Sequence, residues 1–162
     1  MKPEMNQQSI ETEQMLPFLR DMFADGKQVQ LTVTGNSMYP LWRSHRDTVV
    51  LAPADNPDLF DVVLFLRDSG ELVLHRIVKQ TDAGYMIIGD NEFTAEGPIR
   101  PDQLLARMVG FYRDERYVSC EALWYRLYRS FWGRCRRSRK AISTIILLVV
   151  RQVKRIKRWG KA

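Results

Sequence analysis

Short apolar segments, each separated from the next by a brief polar connection, constrain the fold of this chain more than any other feature. Six such segments lie between residues 28 and 113, at residues 28–34, 48–52, 60–66, 71–79, 85–88 and 108–113. Residues 28–34 alternate polar and apolar side chains, as a half-buried strand does. Most connections are too short to hold the helix that joins parallel strands. The sequence therefore predicts a mainly β, antiparallel fold.

Helical segments flank this β region on both sides. Apolar residues recur at helical spacing over residues 9–25, which predicts an amphipathic helix that Pro17 would kink or break. Residues 121–132 and 141–159 predict two further helices in a basic extension. We therefore divide the chain into an N-terminal segment and helix, a β domain and a basic helical tail, at residues 1–26, 27–118 and 119–162.

The net charge of +6 is unevenly distributed along the chain. The first 119 residues hold 12 Lys and Arg against 18 Asp and Glu, whereas residues 120–162 hold 13 Lys and Arg against Glu121 alone. The apolar stripe, basic face and flanking tryptophans of residues 141–159 favour a membrane interface, with a docked helical hairpin as the alternative. We expect peripheral membrane contact from Ala141 to Trp159 and no nucleic-acid partner.

No segment predicts a membrane-spanning helix or a cleavable signal peptide. The longest apolar run, residues 141–150, would rise about 15 Å as a helix, half of the roughly 30 Å hydrocarbon thickness. Five acidic residues interrupt the first thirty positions. We expect a cytoplasmic protein, or one peripheral on the cytoplasmic membrane. Cys120 and Cys135 lack further ligands at metal spacing, so we expect no metal or other cofactor.

A tight bend places a serine at the end of the first predicted strand. Residues 33–40, VTGNSMYP, surround Ser37 with Gly35, which tolerates unusual backbone angles, and Pro40, which fixes its own φ. Such a bend can expose the hydroxyl and leave a backbone N–H free beside it, as a nucleophilic serine requires. An ordinary turn serine remains the alternative on local geometry alone.

One histidine lies on a predicted strand and one in a loop. Alternation along residues 71–79 puts Val73, His75 and Ile77 on one face, among apolar neighbours that favour a neutral imidazole. His75 is therefore the candidate general base, although a buried strand histidine is often only a core residue. His45 lies in a polar loop, and we expect it to be a surface residue.

Three motifs in order resemble the type I signal peptidase family of the S24/S26 peptidase superfamily. They are VTGNSMYP at residues 33–40, LVLHRIV at 72–78 and IIGDNE at 87–92. The resemblance covers roughly residues 29–112. Many bacterial members carry lysine at the position of His75, and a histidine at this position is similar to the endoplasmic-reticulum-type branch. It implies that Ser37 is the nucleophile and His75 the base. Asn36 and Met38, beside the serine, are the expected oxyanion or substrate-binding residues.

The group that orients His75 has two candidates, Asp90 and Glu96. In the histidine branch this acid is an aspartate after the GDN motif, and Glu96 stands close to that position. Asp90 is equally well interpreted as a turn residue that bonds its own backbone. Both remain candidate catalytic residues at this point.

The resemblance implies a serine endopeptidase that removes signal or leader peptides from a precursor peptide or protein through an acyl-enzyme. Small residues at the cut site are implied by the family only. Two alternatives stay open: a self-cleaving repressor-type peptidase, and a non-catalytic membrane-tethered module of the same fold. Against the repressor type, no helix-turn-helix segment precedes Ser37, and histidine stands in place of lysine.

Overall fold

The structure, a computed structural model, describes residues 7–134, with side chains described from residue 14 onward. In this part of the chain, one antiparallel sheet of eight strands carries a helix before it and a helix after it. The strands are β1 Val29–Thr32, β2 Thr48–Pro53, β3 Val62–Leu66, β4 Leu72–Thr81, β5 Gly84–Ile88, β6 Glu96–Ile99, β7 Leu104–Arg113 and β8 Arg116–Ser119. The mainly β, antiparallel fold predicted from the sequence is confirmed.

Neighbours in the sheet follow the order β1-β2-β7-β3-β4-β5-β6, and β8 pairs with the far half of β7. The long strand β7 therefore joins the first two strands to the β3–β6 meander. This arrangement brings β1 and β4, which are distant in the sequence, into one sheet around a common cavity.

The N-terminal helix, α1, covers Gln7–Ala24 and contains Pro17 in its interior. The predicted start at residue 9 is therefore slightly late, and the helix continues beyond the proline. Its buried residues Leu19 and Phe23 pack on the sheet, so tertiary contacts support a helix that local propensity alone disfavours. The helix α2, Leu123–Arg134, buries Tyr125 and Trp132.

The edge strand β6 and the short strand β8 were not predicted. β6 contains Gly97 and Pro98, which disfavour strands, but at the edge of a sheet a proline loses no ladder hydrogen bond. β8 follows a two-residue turn in which Asp114 and Glu115 have positive φ without being glycine, so the usual turn signal is missing. A 3-10 turn, Pro101–Gln103, directly precedes β7.

The core lies on both faces of the sheet, and β4 contributes to both. Leu72 and Leu74 pack against the larger cluster, which includes α1, Trp42 and Phe111. Val73 and Ile77 belong with Phe65 in the smaller cluster on the other face. The predicted alternation along β4 is confirmed, because successive side chains of a strand point to opposite faces.

No helix in residues 7–134 is long and apolar enough to cross a membrane. The helix predicted at residues 141–159, and Cys135, lie outside the described residues.

Candidate active site

Ser37 lies in the bend that follows β1, where the sequence predicted it. Gly35 has a φ of 78°, a conformation that favours glycine, and its N–H donates to Ser44 Oγ at 3.1 Å. Ser37 is half-buried, whereas its neighbour Met38 is fully buried in the core. The core thus anchors the bend on one side of the serine and leaves Asn36 exposed on the other.

The loop after β5 holds the backbone of Ser37 in place. The N–H of Asn91 donates to the carbonyl oxygen of Ser37 at 2.7 Å. A Cβ atom on Gly89 would lie only 2.8 Å from the same oxygen, so the close approach requires glycine at this position. Two residues of the GDN motif therefore have a physical role in positioning the serine.

Asp90, the remaining residue of that motif, forms a buried ion pair with Arg76. Arg76 Nε donates to Asp90 Oδ1 at 2.8 Å and Nη2 donates to Oδ2 at 2.6 Å, and both side chains are inaccessible to solvent. Arg76 Nη1 also donates to the carbonyl oxygen of Phe60 at 2.8 Å. Both carboxylate oxygens of Asp90 thus bind the arginine next to His75 in the sequence.

His75 is 2 % exposed and lies between two other carboxylates. Its Nδ1 donates to Glu96 Oε1 at 3.0 Å, and its Nε2 lies 3.6 Å from Glu92 Oε1. A carboxylate can only accept, so the bond to Glu96 places the proton on Nδ1 and leaves the lone pair on Nε2. The second contact is too long for a hydrogen bond.

Burial lowers the pKa of His75 below its ordinary value of 6.5, although Glu92 and Glu96 oppose this effect. The imidazole is therefore neutral at pH 7. Burial would raise the pKa of Glu96, but hydrogen bonds and charge from Arg67, together with His75, outweigh it and lower that pKa. The pair at this site is thus a neutral imidazole beside an ionised carboxylate.

Ser37 and His75 line the same cavity, which has a volume of about 460 Å³. Glu92 also lines it, and Met38 contributes to its wall. The remaining wall is largely apolar and includes Met15, Leu31, Val49, Leu51, Leu64, Leu72 and Leu74. His45 does not line it; this residue is exposed on the loop after Trp42, as expected.

Two strand edges border this cavity. β1 is the terminal strand of the sheet, and Thr32 and Val33 line the cavity. Residues 72–75 of β4 pair with β3, whereas the pairing with β5 begins only at Arg76, so these four residues have one unpaired edge within the described sheet. Unpaired backbone edges are places where an extended peptide can add a strand.

Sequence reasoning missed two residues of this site, Glu92 and Arg67. Glu92 stands in the IIGDNE motif, but the motif alone does not show that its side chain turns toward the imidazole. Arg67 lies between two strand segments with no motif around it, whereas its guanidinium reaches Glu96 at 2.8 Å. An arginine at the end of a strand gives no signal of which distant acid it binds.

A serine in an anchored bend and a buried neutral imidazole, facing one cavity on an antiparallel sheet, define a serine-peptidase-like β domain. Comparison with known families agrees: residues 2–109 match the family described as Peptidase S24-like, and the chain belongs to that family. Membership places it among serine peptidases. No curated protein and no solved structure matches the chain.

Proposed function

We propose that this protein is a serine endopeptidase that removes a signal or leader peptide from a precursor, with Ser37 as nucleophile and His75 as general base. The observation that carries the proposal is the shared cavity of Ser37 and His75, in which Nε2 of the imidazole holds the free lone pair. Glu96 is the orienting acid, because it is the carboxylate within hydrogen-bond distance of Nδ1. Asp90 then has a structural role through Arg76.

The proposed reaction passes through an acyl-enzyme. Nε2 of His75 takes the proton of the Ser37 hydroxyl while Oγ attacks the scissile carbonyl carbon, and the imidazolium then protonates the departing amine as the C–N bond breaks. Water then hydrolyses the resulting ester. Nε2 of His75 takes a proton from the water as its oxygen attacks the ester carbonyl carbon, and the imidazolium returns that proton to Ser37 Oγ as the ester bond breaks. The backbone N–H of Ser37 donates to no acceptor within residues 7–134 and is the natural donor to the oxyanion.

The two unpaired strand edges support an extended peptide as substrate. A chain that lies between β1 and residues 72–75 of β4 would form ladder hydrogen bonds in the cavity that Ser37 lines. This mode suits an unstructured precursor segment better than a folded surface. The resemblance to signal peptidases adds the expectation of small residues at the cut site.

An active-site-directed serine probe tests the proposal. We expect a fluorophosphonate to label the wild-type protein and the Ser37→Ala variant to lose that label, because only an activated hydroxyl reacts at a useful rate. Ser119→Ala is the matched control, since Ser119 ends β8, does not line the cavity and should leave labelling intact. Labelling is measured by mass spectrometry of the intact protein. An unlabelled wild type would instead favour the non-catalytic module, and cleavage of the purified chain by itself would favour the self-cleaving alternative.

We further propose that the basic tail makes peripheral contact with an anionic membrane surface. Residues 120–162 hold 13 Lys and Arg, and α2 leads into this segment with an exposed apolar stripe. Leu123, Leu127 and Phe131 recur at every fourth position and are 72 %, 63 % and 52 % exposed. Apolar and cationic groups on one segment are typical of interfacial binding.

Vesicle co-sedimentation tests the membrane contact. We expect the full chain to bind phosphatidylglycerol vesicles more strongly than phosphatidylcholine vesicles, and Phe131→Glu to weaken that binding because it places a charge on the apolar stripe. Phe18→Glu is the control, since Phe18 is 57 % exposed but lies on α1. Equal binding to both lipids, or equal losses in both variants, would contradict the proposal.

A further inference from the structure

Arg67 is fixed at the base of the hairpin that joins β3 to β4. Its backbone N–H donates to the carbonyl oxygen of Glu71 at 2.9 Å, and the N–H of Gly70 donates to the carbonyl oxygen of Arg67 at 2.9 Å. The guanidinium Nη1 donates to Glu71 Oε2 at 3.0 Å. These bonds hold the backbone of Arg67 and the Nη1 nitrogen of its guanidinium within the hairpin.

The other two guanidinium nitrogens of Arg67 bind the carboxylate of Glu96. Nε donates to Oε2 at 2.8 Å and Nη2 donates to Oε1 at 2.8 Å, which is the two-pronged geometry that arginine forms with carboxylates. Oε1 is also the atom that accepts from Nδ1 of His75 at 3.0 Å. One carboxylate oxygen is therefore shared between the guanidinium and the imidazole.

Glu96 needs such a restraint because its side chain is 29 % exposed. A glutamate has several rotatable bonds, and ordering it against water costs conformational entropy. Two bonds to a planar fork fix both the position and the plane of the carboxylate, which one bond from an imidazole does not. The restraint determines how well Oε1 is aligned with Nδ1.

We propose that Arg67 is a positioning residue, which holds the Glu96 carboxylate against Nδ1 of His75 and so keeps the lone pair on Nε2 of this imidazole, which lines the same cavity as Ser37. The mechanistic part of this inference rests on the proposed function, whereas the positioning itself does not. The ionisable groups that face His75 are Glu96 from β6, Glu92 from the loop after β5, and Arg67 from the β3–β4 hairpin.

Glu92 explains why this positioning matters. It lies near Nε2, the opposite nitrogen, so a carboxylate is available on each side of the ring. A proton on Nε2, directed at Glu92, would give the tautomer that cannot accept a proton from Ser37. The contact of 3.0 Å to Glu96 against 3.6 Å to Glu92 selects the useful tautomer, and Arg67 maintains that difference.

Titration of His75 by nuclear magnetic resonance tests the positioning without any hydrolysis. The chain has only two histidines, so a His45→Asn background leaves His75 as the single imidazole signal. The pKa of His75 is measured with Ser37→Ala throughout, in four proteins: Arg67 and Glu96 intact, Glu96→Gln, Arg67→Met, and both substitutions together. Arg67→Lys serves as a second variant that keeps the charge but lacks the fork.

We expect Glu96→Gln to lower the pKa of His75 when Arg67 is present, because the Glu96 charge favours the imidazolium. When Arg67 is methionine, the same substitution should shift that pKa by less than half as much, because the carboxylate is no longer held at Nδ1. An equal or larger shift would overturn the proposal, since it would mean that Glu96 keeps its place without Arg67. Arg67→Lys should give an intermediate shift.

Hydrolysis provides the second measurement. Arg67→Met should lower kcat by about 10- to 100-fold, as small misplacements of a catalytic group do. Adding it to Glu96→Gln should cause little further loss, and multiplied losses would contradict a shared role. Arg100→Met is the matched control, because this exposed arginine pairs with Asp68 and Asp102 away from the imidazole and should leave kcat unchanged. If Ser37→Ala does not affect hydrolysis, the proposed function fails, and the titration still decides the role of Arg67.

Discussion

Replacing Ser37 with alanine, or His75 with glutamine, should lower kcat/KM for peptide hydrolysis by about 10⁴-fold or more. The alanine variant has no hydroxyl to acylate, and the glutamine variant has no group that takes its proton. Both residues line one cavity and act in the same step of the proposed mechanism, so the double variant should be no slower than the slower single variant. The assay uses a fluorogenic peptide chosen from a library by cleavage with the wild-type protein.

Two controls make this result specific. Ser119→Ala, at the end of β8, and His45→Asn, on the exposed loop, should each retain the wild-type rate. If Ser37→Ala and His75→Gln instead produced modest losses that multiplied in the double variant, the two groups would not form a catalytic pair.

The pH profile of the wild type should carry the signature of a buried imidazole. Only the neutral form accepts the Ser37 proton, so the rate falls as pH drops through the pKa of His75. Because burial lowers this pKa, the acid limb should lie below 6.5, the ordinary value for histidine. His45→Asn should leave the limb in place. An acid limb that lies above 6.5, or a rate that stays constant at every acidic pH at which the protein remains folded, would argue against His75 as the base.

The largest loss of stability should follow Asp90→Ala, which we expect to lower the free energy of unfolding by about 3–5 kcal/mol. The substitution leaves the Arg76 guanidinium buried without a counter-charge, since both groups are inaccessible to solvent. Urea unfolding followed by circular dichroism measures the change. Asp25→Ala is the control, because Asp25 pairs with Lys27 in an exposed position and should leave stability nearly unchanged.

A double replacement separates the buried charge from the loss of packing. Arg76→Met combined with Asp90→Leu removes both charges and keeps apolar volume, so it should be less destabilising than Asp90→Ala alone. Greater destabilisation in the double variant would show that the hydrogen bond from Arg76 to the carbonyl oxygen of Phe60 matters more than the ion pair. Either result bears on the site, because Asp90 lies in the loop that binds the carbonyl of Ser37.

Local patterns were sufficient to predict the β fold and the surroundings of His75. Short connections exclude crossover helices, and the two-residue period of β4 placed His75 with Val73 and Ile77 on one face. The bend at Ser37 was likewise visible in Gly35 and its neighbours. These features depend on residues close together in the sequence, where propensity and steric limits act directly.

The sequence by itself thus determined the strands, the position of the serine and the apolar surroundings of the imidazole. Only the tertiary structure decided which carboxylate contacts His75 and which contacts Arg76. His75 and Arg76 are adjacent, so their side chains leave β4 on opposite faces and meet different carboxylates, Glu96 and Asp90. Glu96 reaches this position because the edge strand β6 pairs with β5 and the guanidinium of Arg67, from the β3–β4 hairpin, binds its carboxylate. Such pairings of distant residues leave no local pattern in the sequence.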